Sequence, residues 1–230
     1  MLKGLLGQAA VAIWHDIAPE GRDDFYAWHG QEHMPERLAI PGFLRGRRYI
    51  GISARHEFFN LYEARSIDVL LGRAYADRVN HPTPWTIAAV RHFRSVSRSL
   101  CHVRGSFGPA QGGLLATLRY DVPAANAQGH IELLNRQCLP AIAAMAGVAG
   151  VHLLAADASG SSEPNAEELA RGVANVVPRW VILLEGWGDE QPFMALARAQ
   201  FEPLAMQAIG AVGAMDLDIY RHQITHTGAA

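Results

Sequence analysis

Two histidines four residues apart, His29 and His33, close the stretch Arg22–His33, in which Phe25, Trp28 and Glu32 recur at helical spacing. Residues at i and i+4 share one helix face, so the two imidazoles can meet there. A histidine near its ordinary pKa takes up or gives a proton close to neutral pH. His33 is the stronger acid/base candidate. Pro35 follows it and lacks the backbone donor that a continuous helix needs, so the helix is expected to kink or restart beside His33. The other use of His33 is to cap carbonyls freed at that break. Asn60 and Tyr62 alternate onto one face of an expected strand. With His15, at the end of an earlier strand, they could hold a carbonyl or phenolic oxygen. Taken singly each has an ordinary role: Tyr62 packs, Asn60 faces water and His15 ends a strand. The catalytic candidates are therefore His33, Tyr62 and His15, and the substrate-binding candidates Phe25, Trp28, His29 and Asn60. His29-Gly30-Gln31-Glu32-His33 carries the i,i+4 histidine pair that zinc uses in His-Glu-x-x-His helices, but no third ligand accompanies it and Gly30 weakens the helix. No metal is expected.

These residues must be positioned by strands and helices whose order is legible from the apolar pattern. Ala9–His15 alternates as a strand, with Val11 and Ile13 on one face and Ala12 and Trp14 on the other, so both faces read as buried. Phe43–Ile52 and Glu57–Glu63 read as a hairpin, and Ser66 is placed to cap a helix over Ile67–Val79. His92–Val103 reads as an edge or half-exposed strand, and Arg45, Arg47 and Arg48 as a solvated strand face. Gly105–Gly113 is a linker in composition. The same order then returns in weaker form. Cys138-Leu139-Pro140 stands where His33-Met34-Pro35 stood, Gly147-Val148 where Gly42-Phe43 stood, and Leu183-Leu184-Glu185 where Leu61-Tyr62-Glu63 stood. Such a period, about a hundred residues, is too long for a solenoid unit and indicates a duplicated domain. The expected fold is α+β, two β-α-β-β-α-β units at 6–104 and 112–226. The second carries an insertion at about 157–178, within which Asn165 and Glu168 fit a capping box. Glu63 and Glu185, repeated in both units, suggest a structural pairing, with Arg48 or a backbone end as partner.

Composition bounds the function classes. The 230 residues are 50% hydrophobic and 18% charged, with a net charge of −2. Mixed signs without a basic stripe speak against nucleic acid or a membrane surface as partner. Apolar runs fall short of a spanning helix. The two cysteines, Cys101 and Cys138, form neither a disulfide framework nor a redox pair and point to a reducing, cytoplasmic setting. No phosphate-binding glycine loop or nucleophile elbow is present.

The text Trp28…Glu32-His33-Met34-Pro35-Glu36-Arg37…Pro41-Gly42-Phe43…Arg48-Tyr49…Leu61-Tyr62-Glu63 resembles the dimeric α+β barrel superfamily, nearest its EthD-like members. The resemblance implies ferredoxin-like units whose sheets face one another, with a cavity between each sheet and its own helices. It places Trp28, His29, Glu32, His33 and Tyr62 near such a cavity in the first half, and Cys138, Leu139 and Leu184 at the matching places of a supporting second half. The superfamily spans cofactor-free monooxygenases, isomerases, cyclases and tandem haem proteins, so fold alone does not select a reaction. The haem-bearing relatives direct attention to His130 and His152. Neither stands in a convincing ligand context, and no cofactor is expected. Two readings follow. One is a small-molecule enzyme acting on an aromatic, lactone or polyketide-like substrate by proton transfer or cofactor-free oxidation. The other is a non-catalytic small-molecule-binding or structural protein. In both, the barrel closes within one chain, with only weak homo-oligomer contacts, for which the insertion and the His92–Val103 edge are the expected surfaces.

Overall fold

The computed structural model describes residues 4–157, 159, 165–172 and 176–228. The chain is α+β, and the eight strands among the described residues form one closed antiparallel barrel. In the first half, β1 (Ala9–Ile17) leads through α1 (Arg22–Trp28) and α2 (Met34–Leu38) to β2 (Phe43–Ser53) and β3 (Phe58–Ala64). The short helices α3 (Ile67–Leu71), α4 (Arg73–Asn80) and α5 (Pro84–Val90) then lead to β4 (Phe93–Phe107). The second half runs β5 (Leu114–Asp121), α6 (Ala127–Leu133), α7 (Leu139–Ala143), β6 (Val148–Ala156), α8 (Ala166–Arg171), β7 (Trp180–Gly186), α9 (Glu190–Gln200), α10 (Pro203–Ala208) and β8 (Val212–Thr227), a similar order with α8 added between its middle strands.

Around the barrel the strands run β1-β3-β2-β8-β5-β7-β6-β4. The halves are thus joined edge to edge, β2 to β8 and β4 to β6. This corrects the expectation of an edge at His92–Val103: β4 pairs with β1 on one side and with β6 on the other, so its backbone groups are already used. Gly105, Ser106 and Phe107 also belong to that ladder, which shortens the expected linker to Gly108–Gly113.

Strand alternation divides the residues cleanly. Ala10, Ala12, Trp14, Tyr49, Phe59, Leu61, Leu115, Leu183 and Tyr220 fill the barrel. Val11, Tyr62 and Leu100 in the first half, and Leu118, Ile182 and Leu184 in the second, face the helices. One end of the barrel interior is closed by charge. Arg45 donates twice to Glu63 (2.7 and 2.8 Å), Arg47 donates to both oxygens of Glu185 (2.9 Å each), and Arg47 Nη2 lies 3.2 Å from Glu63. The three arginines expected on a solvated face are buried instead, at 3%, 1% and 6% exposure for Arg45, Arg47 and Arg48. Closure of the sheet turns one strand face inward, and long side chains meet carboxylates across the lumen. Burial acts to raise the Glu185 carboxyl, but Arg47 and His152 outweigh it and hold the group at about 2. The expected Glu63 and Glu185 pairing is therefore present, with Arg45 and Arg47 rather than Arg48 as the arginines, and with the expected backbone partners too, since the Leu6 N–H donates to Glu63 (2.7 Å) and the Gly112 N–H to Glu185 (3.0 Å).

Two local expectations are corrected. The helix expected over Ile67–Val79 is broken at Gly72, whose backbone is extended, and Ser66 makes no capping bond to it. The helix around Pro35 neither stops nor restarts. It widens into a π turn over His29–His33, with the Met34 N–H bonded to the His29 carbonyl, and resumes as α2. The second half has a π turn at Leu134–Cys138, again followed by a proline, Pro140. A π turn shifts the hydrogen-bond ladder by one residue, which lets a proline pass without a broken helix.

In the insertion, Asn165 caps α8 by accepting from the Glu168 N–H at 3.0 Å, as its spacing predicts. Residues 158, 160–164 and 173–175 of that segment lie outside the described residues.

Candidate functional site

The π turn points His29 and His33 off one helix face towards β3, their rings 5.5 Å apart. Each is held by a different set of neighbours. His29 Nδ1 lies 3.2 Å from Arg48 Nη1, and its Nε2 lies 3.0 Å from the Tyr62 hydroxyl. A guanidinium has only donors, so Nδ1 must accept. Burial first, and Arg48 second, push the His29 pKa well below its ordinary value, so the ring is neutral and its single proton sits on Nε2. That N–H donates to the Tyr62 oxygen. The Tyr62 hydroxyl proton then remains to be donated elsewhere, and burial raises the Tyr62 pKa enough to keep it in place. Two residues of the first strand pair and one helix turn thus build a hydroxyl donor of defined direction.

His33 packs against Trp28, with centroids 4.3 Å apart, and its Nδ1 has no partner among the described residues. Burial, and after it the Arg37 charge, hold His33 neutral as well. Trp28 is itself fixed: its indole N–H donates to Thr86 (3.1 Å), and Thr83 and Thr86 both donate to Glu32 (2.6 and 3.3 Å). Glu32 therefore ties the π turn to α5.

Trp28, His33 and Tyr62 line one cavity of about 60 Å³ between the sheet and the helices, together with Arg37, Tyr75 and Glu167 among others. A void of this size holds only a few waters. His29 braces Tyr62 from behind. His15 and Asn60 are placed elsewhere: the Asn60 amide meets His15 Nε2 at 2.8 Å, deeper in the sheet, and neither residue lines the cavity. His15 stands at a β-bulge of β1 and stacks against Phe58 and Phe93, and Phe25 packs on its edge. Asn60, one of whose readings had it facing water, is 2% exposed. The helices cover this sheet face completely, so a polar residue on it must find a partner inside. Burial lowers the His15 pKa to about 3.

Sequence reasoning missed Arg37, Tyr75, Arg98, Glu167 and Arg171, all of which line the cavity. Arg37 was findable, since it follows His33 by four residues on the same helix face. Glu167 and Arg171 come from α8, which a reading of the first half alone cannot place there.

The second half also holds a cavity, as the resemblance implies for each unit. It measures about 240 Å³ and is lined mainly by apolar groups such as Leu134, Leu139, Ile142, Ile182 and Phe201, with Cys138 at its wall. Leu134 stands where His29 stands in the first half, and Leu184 where Tyr62 stands.

Among the described residues no group of three or more His, Cys, Asp or Glu side chains could hold a metal. Both His29 nitrogens are engaged, and Arg48 and Arg37 set positive charge beside the pair. Haem ligation by the second-half histidines does not fit the donor set either. His130 bonds the Tyr120 hydroxyl and the Ile209 carbonyl (2.8 Å each), and His152 lies inside the barrel between Ser106 (2.9 Å) and Glu185 (3.3 Å). No described helix is long and apolar enough to cross a membrane.

No family model and no curated protein sequence matches the chain. Solved structures do. A protein described as anthrone oxidase-like has a TM-score of 0.65 at 14% identity, over 96% of this chain and 93% of its own. A putative monooxygenase from Lactobacillus acidophilus has a TM-score of 0.56 at 12% identity, over 97% and 98%. A mutant chlorite dismutase from Candidatus Nitrospira defluvii has a TM-score of 0.51 at 9% identity, over 94% and 91%. At these identities the likeness is one of fold.

Proposed function

We propose that the chain is a cofactor-free enzyme that removes a proton from an activated carbon or hydroxyl of a small aromatic or polyketide-like substrate, in the first-half cavity. The observation that carries this reading is the pairing of an unpartnered neutral imidazole, His33, with a directed hydroxyl donor, Tyr62, on the walls of one void. His33 is the base. Burial and Arg37 disfavour its imidazolium, so proton transfer is productive when the enolate or phenolate formed stays beside it as counter-ion. Tyr62 donates to the substrate oxygen on which that negative charge collects, an oxyanion-type stabilisation strongest in a dry site. His29 and Arg48 position Tyr62, and Trp28 forms the apolar wall. An enolate so formed can give its electrons to dioxygen, in keeping with the names of the fold's oxidase-like and monooxygenase-like neighbours. For an anthrone the balance is one O2 consumed, the methylene carbon oxidised to a ketone, and one water released. His15 and Asn60 hold the aromatic packing behind Phe25 rather than the substrate.

The same reading takes residues 6–104 and 112–226 as tandem ferredoxin-like units of EthD-like kind. The like order of elements and the π turn ahead of Pro35 and Pro140 support it. A second reading, non-catalytic binding of a small molecule, is favoured by one observation: the larger cavity is the apolar one, and it offers no base.

The test is purified protein with anthrone in deuterated buffer. Oxygen uptake together with deuterium entry at the methylene carbon is expected, with both rates falling about 100-fold or more in His33→Gln and Tyr62→Phe. Neither uptake nor exchange above the buffer rate, across anthrone and simple phenolic analogues, would leave binding as the role.

A further inference from the structure

The first-half cavity has a wall from far away in the chain. Helix α8, inserted between β6 and β7, lies against α4 and α5 and brings Glu167 and Arg171 into the lining. Arg37 Nη2 donates to Glu167 Oε1. Arg37 is 3% exposed, and its Nη1 has no partner among the described residues. Glu168 approaches Arg98 at 3.7 Å, and Ala166 N–H donates to Asn80 at 3.2 Å. Further along, Val176 bonds across to β4 through Val96 and Arg98. Around the cavity, three guanidiniums (Arg37, Arg98 and Arg171) meet two carboxylates (Glu167 and Glu168).

A buried guanidinium with one nitrogen bonded to a single carboxylate oxygen and another unpartnered among the described residues is a half-filled carboxylate site, because planar bidentate pairing is what that group does best. The unpartnered Nδ1 of His33 belongs to the same cavity lining. The carboxylate bonded to Arg37 is carried on the six-residue helix α8, which also bears the Glu168–Arg98 ion pair and the Ala166 N–H bond to Asn80.

We infer that Glu167 is an internal stand-in for an anionic substrate: the cavity takes a small aromatic carboxylate or ionised phenol, whose oxygen replaces the Glu167 carboxylate on Arg37 and releases α8 from the cavity mouth. This rests on the reading of the first-half cavity as the reacting site, and it adds the charge of the ligand and the device that admits it. Exchange of one carboxylate for another leaves the charge balance around Arg37 unchanged, so the swap avoids stranding a buried cation, which is the costly outcome. A ligand that stays uncharged cannot make the exchange, whereas the enol tautomer of an anthrone ionises to a phenolate that can. Trp28, Phe93 and Tyr75 on the same wall suit an aromatic ring. When α8 is in place the void holds only a few waters, so ligand entry requires Glu167 to leave.

The experiment is calorimetric titration of the wild-type chain, Glu167→Gln and Glu167→Ala with benzoate, and with benzamide as its uncharged counterpart. Benzoate is expected to bind both variants at least about tenfold more tightly than the wild type, since each lacks the competing carboxylate. Benzamide should bind all three weakly and alike. In the wild type, saturating benzoate should speed amide hydrogen exchange across Ala166–Arg171. Equal benzoate affinity in all three proteins overturns the inference, as does tightening of benzamide by the same factor. Slower exchange in α8 on benzoate binding also overturns it. Glu167→Gln keeps an oxygen acceptor for Arg37, so at least one variant leaves the guanidinium hydrogen-bonded and folded. Binding is read here without turnover, whereas proton removal by His33 and Tyr62 is read from exchange into anthrone. The two failures are therefore distinguishable.

Discussion

Lowering the pH should unfold this protein at a histidine that touches no substrate. His15 is fully buried among Phe25, Phe58 and Phe93, and burial holds its pKa at about 3, against 6.5 for an exposed imidazole. The backbone of Asp16 opposes that shift, while His56, Arg171 and Arg48 add to it. A base with a depressed folded pKa binds fewer protons folded than unfolded, so stability falls as pH drops through the unfolded pKa and levels only near the folded one. Between pH about 7.5 and about 5 the loss is set almost wholly by the unfolded pKa, and for one such histidine it comes to about 2 kcal/mol. The figure is insensitive to the folded value as long as that value lies well under 5. His29 and His33 shift in the same direction and add to the slope. The assay is urea unfolding followed by tryptophan fluorescence at those two pH values, for the wild type and for His15→Phe/Asn60→Leu. That double variant removes both members of the buried hydrogen bond together and leaves no stranded partner. The wild type should lose about 2 kcal/mol more than the variant on acidification. The same pH dependence in both proteins would refute the assignment of a neutral, proton-excluding His15.

Three further outcomes follow from the packing. Arg47→Met strands Glu185 and weakens the hold on Glu63 inside the barrel, so urea unfolding should show a loss of about 3–5 kcal/mol, partly restored by adding Glu185→Leu. Gly7→Ala sets a Cβ 1.9 Å from the Ala64 carbonyl oxygen, which only backbone movement relieves; thermal unfolding should register about 1–3 kcal/mol. Burial pushes the Cys101 thiol up to about 12 and also raises that of half-buried Cys138, so a Cys138→Ser chain should show no reaction with an aromatic disulfide reagent until it is unfolded.

The fold was legible because alternation and repetition are local signals. Val11 and Ile13 against Ala12 and Trp14 announced a strand buried on both faces, and the echo of Leu61-Tyr62-Glu63 in Leu183-Leu184-Glu185 announced a second set of strands. Barrel closure was not legible. Whether β4 is an edge depends on β6 of the other half, and the polar alternation of His92–Val103 reflects a lumen containing Ser97 and Ser99, which looks like solvent in a sequence. The arginines of β2 misled for the same reason: their carboxylate partners Glu63 and Glu185 lie 18 and 138 residues from Arg45 and Arg47. Of the candidate site, His29, His33, Trp28 and Tyr62 were brought together, since helix and strand periodicity fix which side they face. His15 and Asn60 share that face but not that depth, and depth is set by packing. Glu167 was out of reach because an insertion's docking place is written in the surface it meets.

Equivalent positions in the two halves show how one scaffold carries two kinds of cavity. The charged end of the lumen uses both halves alike, Glu63 and Glu185 each taking an arginine of β2. Behind the sheets the halves part. His29, Tyr62 and Asn60 require Arg48, one another and His15 as partners, whereas Leu134, Leu184 and Ile182 require nothing but contact. Buried polar groups with incomplete partners cost stability that an apolar lining does not. The first half bears that cost at His33 and Arg37, beside a small void, while the second half has an apolar lining and a void four times larger. Stability alone would favour the lining of the second half in both places, and under the proposed function a ligand offsets the cost of the polar lining in the first.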